Sequence, residues 1–188
     1  MMTERFELIE TPMKGLHLIQ RQLLGDSRGF LQRLFCAEDL QMFGWNHPVA
    51  QINHTLTRER GSVRGLHMQK APHAEDKLIT CLRGEVWDVA VDMRAGSPTF
   101  LQWHAVHLIA KQACSYLIPA GFAHGFQTLT DDVEMLYCHS QPYVPQSEVG
   151  IHVLDPRLAI SWPLPFTVQS EKDAATAWLP DDFAGVSI

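Results

Sequence analysis

The sequence predicts an all-β fold, a sandwich or jelly-roll barrel of antiparallel strands. Three observations lead there. Short runs rich in branched and aromatic residues recur along the chain, among them Lys77–Leu82, Glu85–Met93, Phe100–Leu108, Ser115–Ile118, Gly125–Leu129 and Val133–Cys138. Glycine, proline and aspartate punctuate these runs at fairly even spacing, as in domains built from many short strands. No convincing helical period of apolar residues passes through the region.

Taken in order, Phe6–Glu10 and Leu16–Ile19 read as strands around Thr11-Pro12-Met13-Lys14-Gly15, because alternation broken by proline and glycine fits strand better than helix. Asp26–Gly29 is a turn, Phe30–Phe35 resumes as strand, and Ala37–Phe43 is one short peripheral helix ending before Gly44. Val49–Leu56 alternates, with Gln51, Asn53 and Thr55 on one side. Such a row suits a polar ligand inside a barrel, and an exposed strand face would read the same way. Arg83-Gly84 carries a two-residue hairpin signal between its flanking strands. The last part is broken by prolines at Pro156, Pro163, Pro165 and Pro180 and is expected to wrap the barrel surface. One domain over 1–188 is expected, with N-terminal strands over about 1–48, a core over about 49–145 and a C-terminal wrap over about 146–188.

Composition narrows the function classes. The chain has 188 residues, 46% of them hydrophobic, and a formal net charge of -6. No run of lysine or arginine builds a basic surface, so nucleic acid is not an expected partner, and any bound anion must be held by individually placed cations. The N-terminus carries acidic residues where a signal peptide would be basic, and no apolar run is long enough for a membrane span. A soluble, cytoplasmic protein is expected. Cys36, Cys81, Cys114 and Cys138 form no CxxC pair and read as buried free thiols in a reducing compartment.

Two stretches carry chemistry. Ser62–Gln69 sets a cation, a glycine, an imidazole and an amide within a few residues of one another. A regular strand would project Arg64, Leu66 and Met68 to one side and Gly65, His67 and Gln69 to the other. Ile118–Phe126 supplies a second histidine, His124, on a glycine-rich turn. Both are expected at the mouth of one barrel. His67 is a natural general base, since an unperturbed imidazole is largely neutral at physiological pH. Tyr137 and Tyr143 are equally good proton donors on these grounds alone.

Arg64-Gly65-Leu66-His67-x-Gln69, Lys77-Leu78, Asp88-Val89-x-Val91-Asp92-x-Arg94 with Ser97–Phe100, Pro119-x-Gly121–Phe126, Tyr143-x-Pro145-x-x-Glu148 and Ser170–Asp173 occur in this order. Together they resemble the dTDP-4-dehydrorhamnose 3,5-epimerase family over about Phe6 to Asp173. The resemblance implies a cupin jelly roll, no metal or organic cofactor, a homodimer, and a nucleotide-linked 4-keto-6-deoxyhexose as substrate in deoxysugar biosynthesis. It implies His67 as base with Asp173 as its carboxylate, Tyr137 rather than Tyr143 as acid, and Lys77 at the enolate oxygen. It places His124 and Tyr143 by the substrate, Arg28 and Arg64 at the diphosphate and sugar, and Gln51, Asn53, Glu148 and Lys172 at further binding positions. The chain departs from the pattern at Arg33, where the family usually carries glutamate, and at Met68, where an aromatic residue is common.

Epimerisation beside a ketone requires a base, a group that stabilises the enolate, and an acid on the opposite face. Two other classes fit parts of the sequence. A metal-dependent cupin oxygenase or isomerase would use His67, Glu75 and His124 as ligands, although the motif offers His67-Met68-Gln69 where such cupins have His-x-His and an amide is a poor transition-metal ligand. A non-catalytic sugar-binding cupin would need no acid–base set.

Overall fold

Side-chain alternation along the strands decides the architecture, because runs with two apolar faces need cover on both sides. The computed structural model describes residues 1–188. Its strands, in chain order, are β1 (Phe6–Glu10), β2 (His17–Arg21), β3 (Leu23–Asp26), β4 (Gly29–Gln32), β5 (Gln51–Thr57), β6 (Val63–Gln69), β7 (Lys77–Arg83), β8 (Glu85–Asp92), β9 (Trp103–Ile109), β10 (Cys114–Ile118), β11 (Phe122–Thr128), β12 (Val133–His139) and β13 (Glu148–Gly150). Two short helices, α1 (Ala37–Gln41) and α2 (Glu171–Ala174), lie at the periphery.

The strands form two facing antiparallel sheets, ordered β1-β2-β10-β7-β12-β5 and β13-β6-β11-β8-β9, with β3 and β4 as a separate hairpin. This is the expected all-β jelly-roll class. Ile79, Cys81, Val86, Ala90, Tyr116, Phe122, Phe126 and Met135 fill the space between the sheets. Alternate residues of the same strands face outward. On the five-stranded sheet Val63, Leu66, Met68, Val89, Val91 and Ala123 are covered by the C-terminal wrap through Trp162, Phe166, Leu179 and Phe183. On the six-stranded sheet Ile19, Leu78, Leu117 and Cys138 pack under Leu40, Phe43 and Trp45, on and just after α1. Burying residues of this size stabilises by roughly 1.5–3 kcal/mol each, so both outer layers contribute to holding the sheets. No helix is long and apolar enough to cross a membrane.

Two local expectations fail for identifiable reasons. Arg83-Gly84 does not close a hairpin: β7 pairs with β10 and β12, while β8 pairs with β11 and β9. Gly84, at φ +78°, turns the chain from one sheet to the other, and a Cβ there would stand 2.5 Å from the Thr130 hydroxyl. A turn signal specifies a reversal of direction, and a sheet-crossing corner uses the same glycine.

The second failure lies in β6. Phe126 pairs with Arg64 and His124 with His67, so β6 advances three residues while β11 advances two. This bulge resets the alternation. Arg64, His67 and Gln69 therefore share the inner side, while Val63, Leu66 and Met68 join the outer core. Gly65 sits at the bulge with φ +112°, and a Cβ there would lie 2.7 Å from both Gly125 Cα and His124 O. Only glycine fits that close approach.

Candidate active site

At one end of the intersheet space the filling changes from apolar to polar. Arg64, His67 and Gln69 on β6 and His124 on β11 form one wall; Asn53 and Thr55 on β5, Lys77 on β7, and Tyr137 and His139 on β12 form the facing one. Glu75, Tyr143, Glu148, Ser170, Lys172 and Asp173 close the rim of a cavity of about 340 Å³, within the range of small-molecule sites.

Asp173 and His67 are joined by a 2.7 Å hydrogen bond between Oδ1 and Nε2. A carboxylate only accepts, so Nε2 carries the hydrogen and the Nδ1 lone pair is left for the cavity. Asp173 is fixed in turn: its Oδ2 accepts from the Gly65 N–H at 3.2 Å, and its own N–H donates to Ser170 Oγ at the start of α2 at 3.0 Å. Burial alone would raise the Asp173 pKa, but the hydrogen bond and charge of His67, with the Gly65 N–H and Ser170, hold it below the usual carboxylate value.

Tyr137 faces this pair from the opposite sheet. Burial, reinforced by the charge of Asp88, keeps the phenol protonated well above its ordinary pKa. Its ring meets His124 edge-on and lies parallel to His139, with centroids 6.1 Å away in both cases. His124 Nε2 is 2.9 Å from Oδ1 of the fully buried Asp88. Asp88 Oδ2 has no partner; burial raises this carboxyl, and His124 and Lys77 offset part of the rise.

Lys77 is 6% exposed, an unusual position for a lysine. Its Nζ donates to the His67 carbonyl at 3.1 Å and pairs with Glu75 Oε1 at 3.2 Å. Burial by itself would raise Glu75, but His139 and Lys77 hold it below the usual value. At the rim Tyr143 Oη donates to Glu148 Oε2 at 2.8 Å and Lys172 pairs with the same oxygen. Burial pushes Glu148 up, and Lys172 and Tyr143 more than reverse it.

Of the twelve residues expected at the site, ten line this cavity: His67, Tyr137, Asp173, Lys77, Asn53, Arg64, His124, Tyr143, Glu148 and Lys172. Gln51 stands behind the rim, donating to Asn53 Oδ1 at 3.0 Å and accepting from the Tyr143 N–H at 2.9 Å. Arg28 is not brought to it. It sits on the exposed β3–β4 turn, paired with Asp26. Glu75, His139, Phe126 and Ser170 line the cavity without having been singled out as substrate or catalytic positions. The signal for His139 was present, since it lies two residues beyond Tyr137 on one strand and so shares its face. The ligands of the metal-cupin alternative are otherwise engaged, His67 by Asp173, His124 by Asp88 and Glu75 by Lys77, and no three His, Cys, Asp or Glu side chains converge as a metal-holding group.

Residues 10–181 match the family model for dTDP-4-dehydrorhamnose 3,5-epimerase. The chain belongs to this family. The dTDP-4-dehydrorhamnose 3,5-epimerase of Streptomyces griseus is 42% identical over 163 residues, 86% of this chain and 80% of that protein. Among solved structures, the dTDP-6-deoxy-D-glucose-3,5-epimerase of Legionella pneumophila Philadelphia 1, in complex with dTDP-4-keto-L-rhamnose, superposes with a TM-score of 0.89 at 39% identity, covering 97% of this chain and 99% of that one. ChmJ, a 3'-monoepimerase from Streptomyces bikiniensis in complex with dTDP-quinovose, gives 0.82 at 34% identity, covering 89% of this chain and 85% of that one.

Proposed function

We propose that this family member epimerises carbon 3 and carbon 5 of a dTDP-linked 4-keto-6-deoxyhexose in deoxysugar biosynthesis. The observation that carries the reading is the pairing of a carboxylate-oriented imidazole on one wall with a protonated, half-buried phenol on the other, and a buried ammonium bonded to the His67 carbonyl. Carbons 3 and 5 both adjoin the ketone, so their protons are acidified by the same carbonyl. His67 Nδ1 removes the proton, and the C–H electron pair moves into an enolate whose oxygen is held by Lys77. Tyr137 Oη returns a proton to the carbon from the opposite face, inverting it. Water then restores both side chains.

His124, Asn53, Tyr143, Glu148 and Lys172 are assigned to the sugar and nucleotide, with Gln51 steadying Asn53. Arg64 is assigned to the diphosphate, its guanidinium held by Thr57 Oγ1 at 2.9 Å. Arg28 lies off the cavity of its own chain. Leu23, Leu24, Phe30 and Leu31 on the same hairpin are all exposed, with Phe30 at 68%, a patch of the kind that marks an interface. We assign that hairpin to a homodimer, in which Arg28 serves the partner's cavity. Four unpaired cysteines support a cytoplasmic setting.

The similarity to ChmJ favours a second reading, inversion at carbon 3 alone. Incubation with dTDP-4-keto-6-deoxyglucose, followed by reduction of the keto product and sugar analysis, separates the two. Epimers at both carbons support the first reading, an epimer at carbon 3 alone supports the second, and unaltered sugar contradicts both.

A further inference from the structure

Glu75 stands between β6 and β7, and its side chain is 7% exposed. Its two oxygens are shared among three groups. Oε1 meets Lys77 Nζ at 3.2 Å, and Oε2 meets His139 Nδ1 at 3.1 Å and accepts from Gln69 Nε2 at 3.2 Å. Each partner leads to the site. An ammonium has three N–H groups; one of those on Lys77 goes to the His67 carbonyl and one to Glu75, leaving the third for a substrate oxygen. The His139 ring lies parallel to Tyr137, with planes 10° apart. Its Nε2 reaches Asn53 at 3.4 Å, and Gln69 is two residues from His67 on β6.

A carboxylate beside an electrophilic cation offsets part of its charge while keeping the buried ammonium protonated. Geometry gives it a further task. A lysine side chain has four rotatable bonds and aims poorly unless its head is tied down. We propose that Glu75 is a positioning residue for the epimerase reaction, its single carboxylate fixing the direction of the Lys77 ammonium and, through His139, the ring that holds the Tyr137 phenol in place. This rests on the roles of Lys77 and Tyr137 in the proposed function. It gives Glu75 a task that needs no metal and no contact with the substrate.

The test compares Glu75→Ala, Glu75→Gln, Lys77→Ala and the Glu75→Ala/Lys77→Ala double variant, using steady-state kinetics on dTDP-4-keto-6-deoxyglucose and melting curves. Glu75→Ala is expected to lower kcat by about 100-fold, the scale of a misaimed catalytic group, with KM within about threefold of the parent. Glu75→Gln keeps the shape and one acceptor for Lys77 and is expected to recover about tenfold of that loss. Because Glu75 acts in part through Lys77, the loss in the double variant is expected to fall well short of the product of the two single losses. Parental kcat in Glu75→Ala, or losses that simply multiply in the double variant, would overturn the proposal. If Glu75→Ala does not fold, Glu75→Gln decides: a roughly tenfold lower kcat at parental KM and melting temperature supports the proposal, and parental kcat overturns it. A parent that leaves the sugar unchanged would instead remove the epimerase reading itself.

Discussion

Asp173 Oδ1 stands 2.7 Å from His67 Nε2 although the two residues are 106 positions apart in the chain. The contact depends on α2, within the wrap, being capped by Ser170 and on the Gly65 N–H meeting the second carboxylate oxygen. If the carboxylate's task is to fix the tautomer that leaves Nδ1 basic, Asp173→Asn should keep the fold and lose the chemistry. We expect kcat to fall by about 10²–10⁴-fold, the range for general-base catalysis, with a far-ultraviolet circular dichroism spectrum unchanged from the parent.

Tyr137→Phe removes the proton donor and keeps the ring edge-on to His124 and parallel to His139. Proton removal by His67 then survives, so solvent deuterium should still enter the substrate at a rate within about tenfold of the parent, while net inversion falls by about 10²-fold or more. Proton NMR in deuterated water reads both from one sample. Equal loss of exchange and inversion would return Tyr137 to a packing role.

Arg64→Ala should act on binding. The side chain lines the cavity and is held only by Thr57 Oγ1 and the Leu56 carbonyl, so its removal leaves no buried carboxylate exposed. We expect KM to rise roughly 10- to 100-fold with kcat near parental, the pattern for a uniform binding contact, and dTDP to bind correspondingly more weakly by calorimetry.

Gly65→Ala tests the bulge. The added Cβ meets backbone atoms at 2.7 Å on the paired strand, which cannot yield as a side-chain tip can. About 3 kcal/mol of destabilisation is expected from forcing that backbone, measured by urea unfolding. Because the bulge sets Arg64 and His67 on one face, activity should fall even at temperatures where the variant stays folded.

Acid sensitivity should appear at a residue remote from the chemistry. Burial would raise Asp92, but hydrogen bonds from Arg94, Ser97 and Thr99 hold it at about 2. Its folded pKa is thus below its unfolded one, so its contribution is fully present above the ordinary carboxylate range and is lost as pH falls from about 4 through about 2. The shift corresponds to about 2 kcal/mol. Asp92→Asn should lower stability at neutral pH and flatten this segment of the acid-unfolding curve.

Strand positions were legible in the sequence because alternation reports burial directly, whereas the row of Asn53 and Thr55 read equally as an exposed face until the cavity placed it. The grouping of ten of the twelve expected site residues in one cavity was legible through family motifs, which fix residue identity at given positions. The β6 bulge was not legible. Strict alternation set Arg64 and His67 on opposite faces, and only pairing with β11 shows the inserted residue. Gly84 misled for a related reason, since a glycine turn carries no information about which sheet receives the next strand. Glu75 was named only as a ligand of the metal-cupin alternative and His139 not at all, because neither shows its partner in the sequence. Their meaning comes from Oε2 and Nδ1 lying 3.1 Å apart across two segments.

The most direct test of the central claim is hydrogen exchange by His67→Asn. Parent and variant are incubated with dTDP-4-keto-6-deoxyglucose in deuterated water and followed by proton NMR at carbons 3 and 5. The account predicts that the parent replaces ring hydrogen with deuterium and that the variant leaves both signals intact. Deuterium entering the variant's sugar at the parental rate would contradict it.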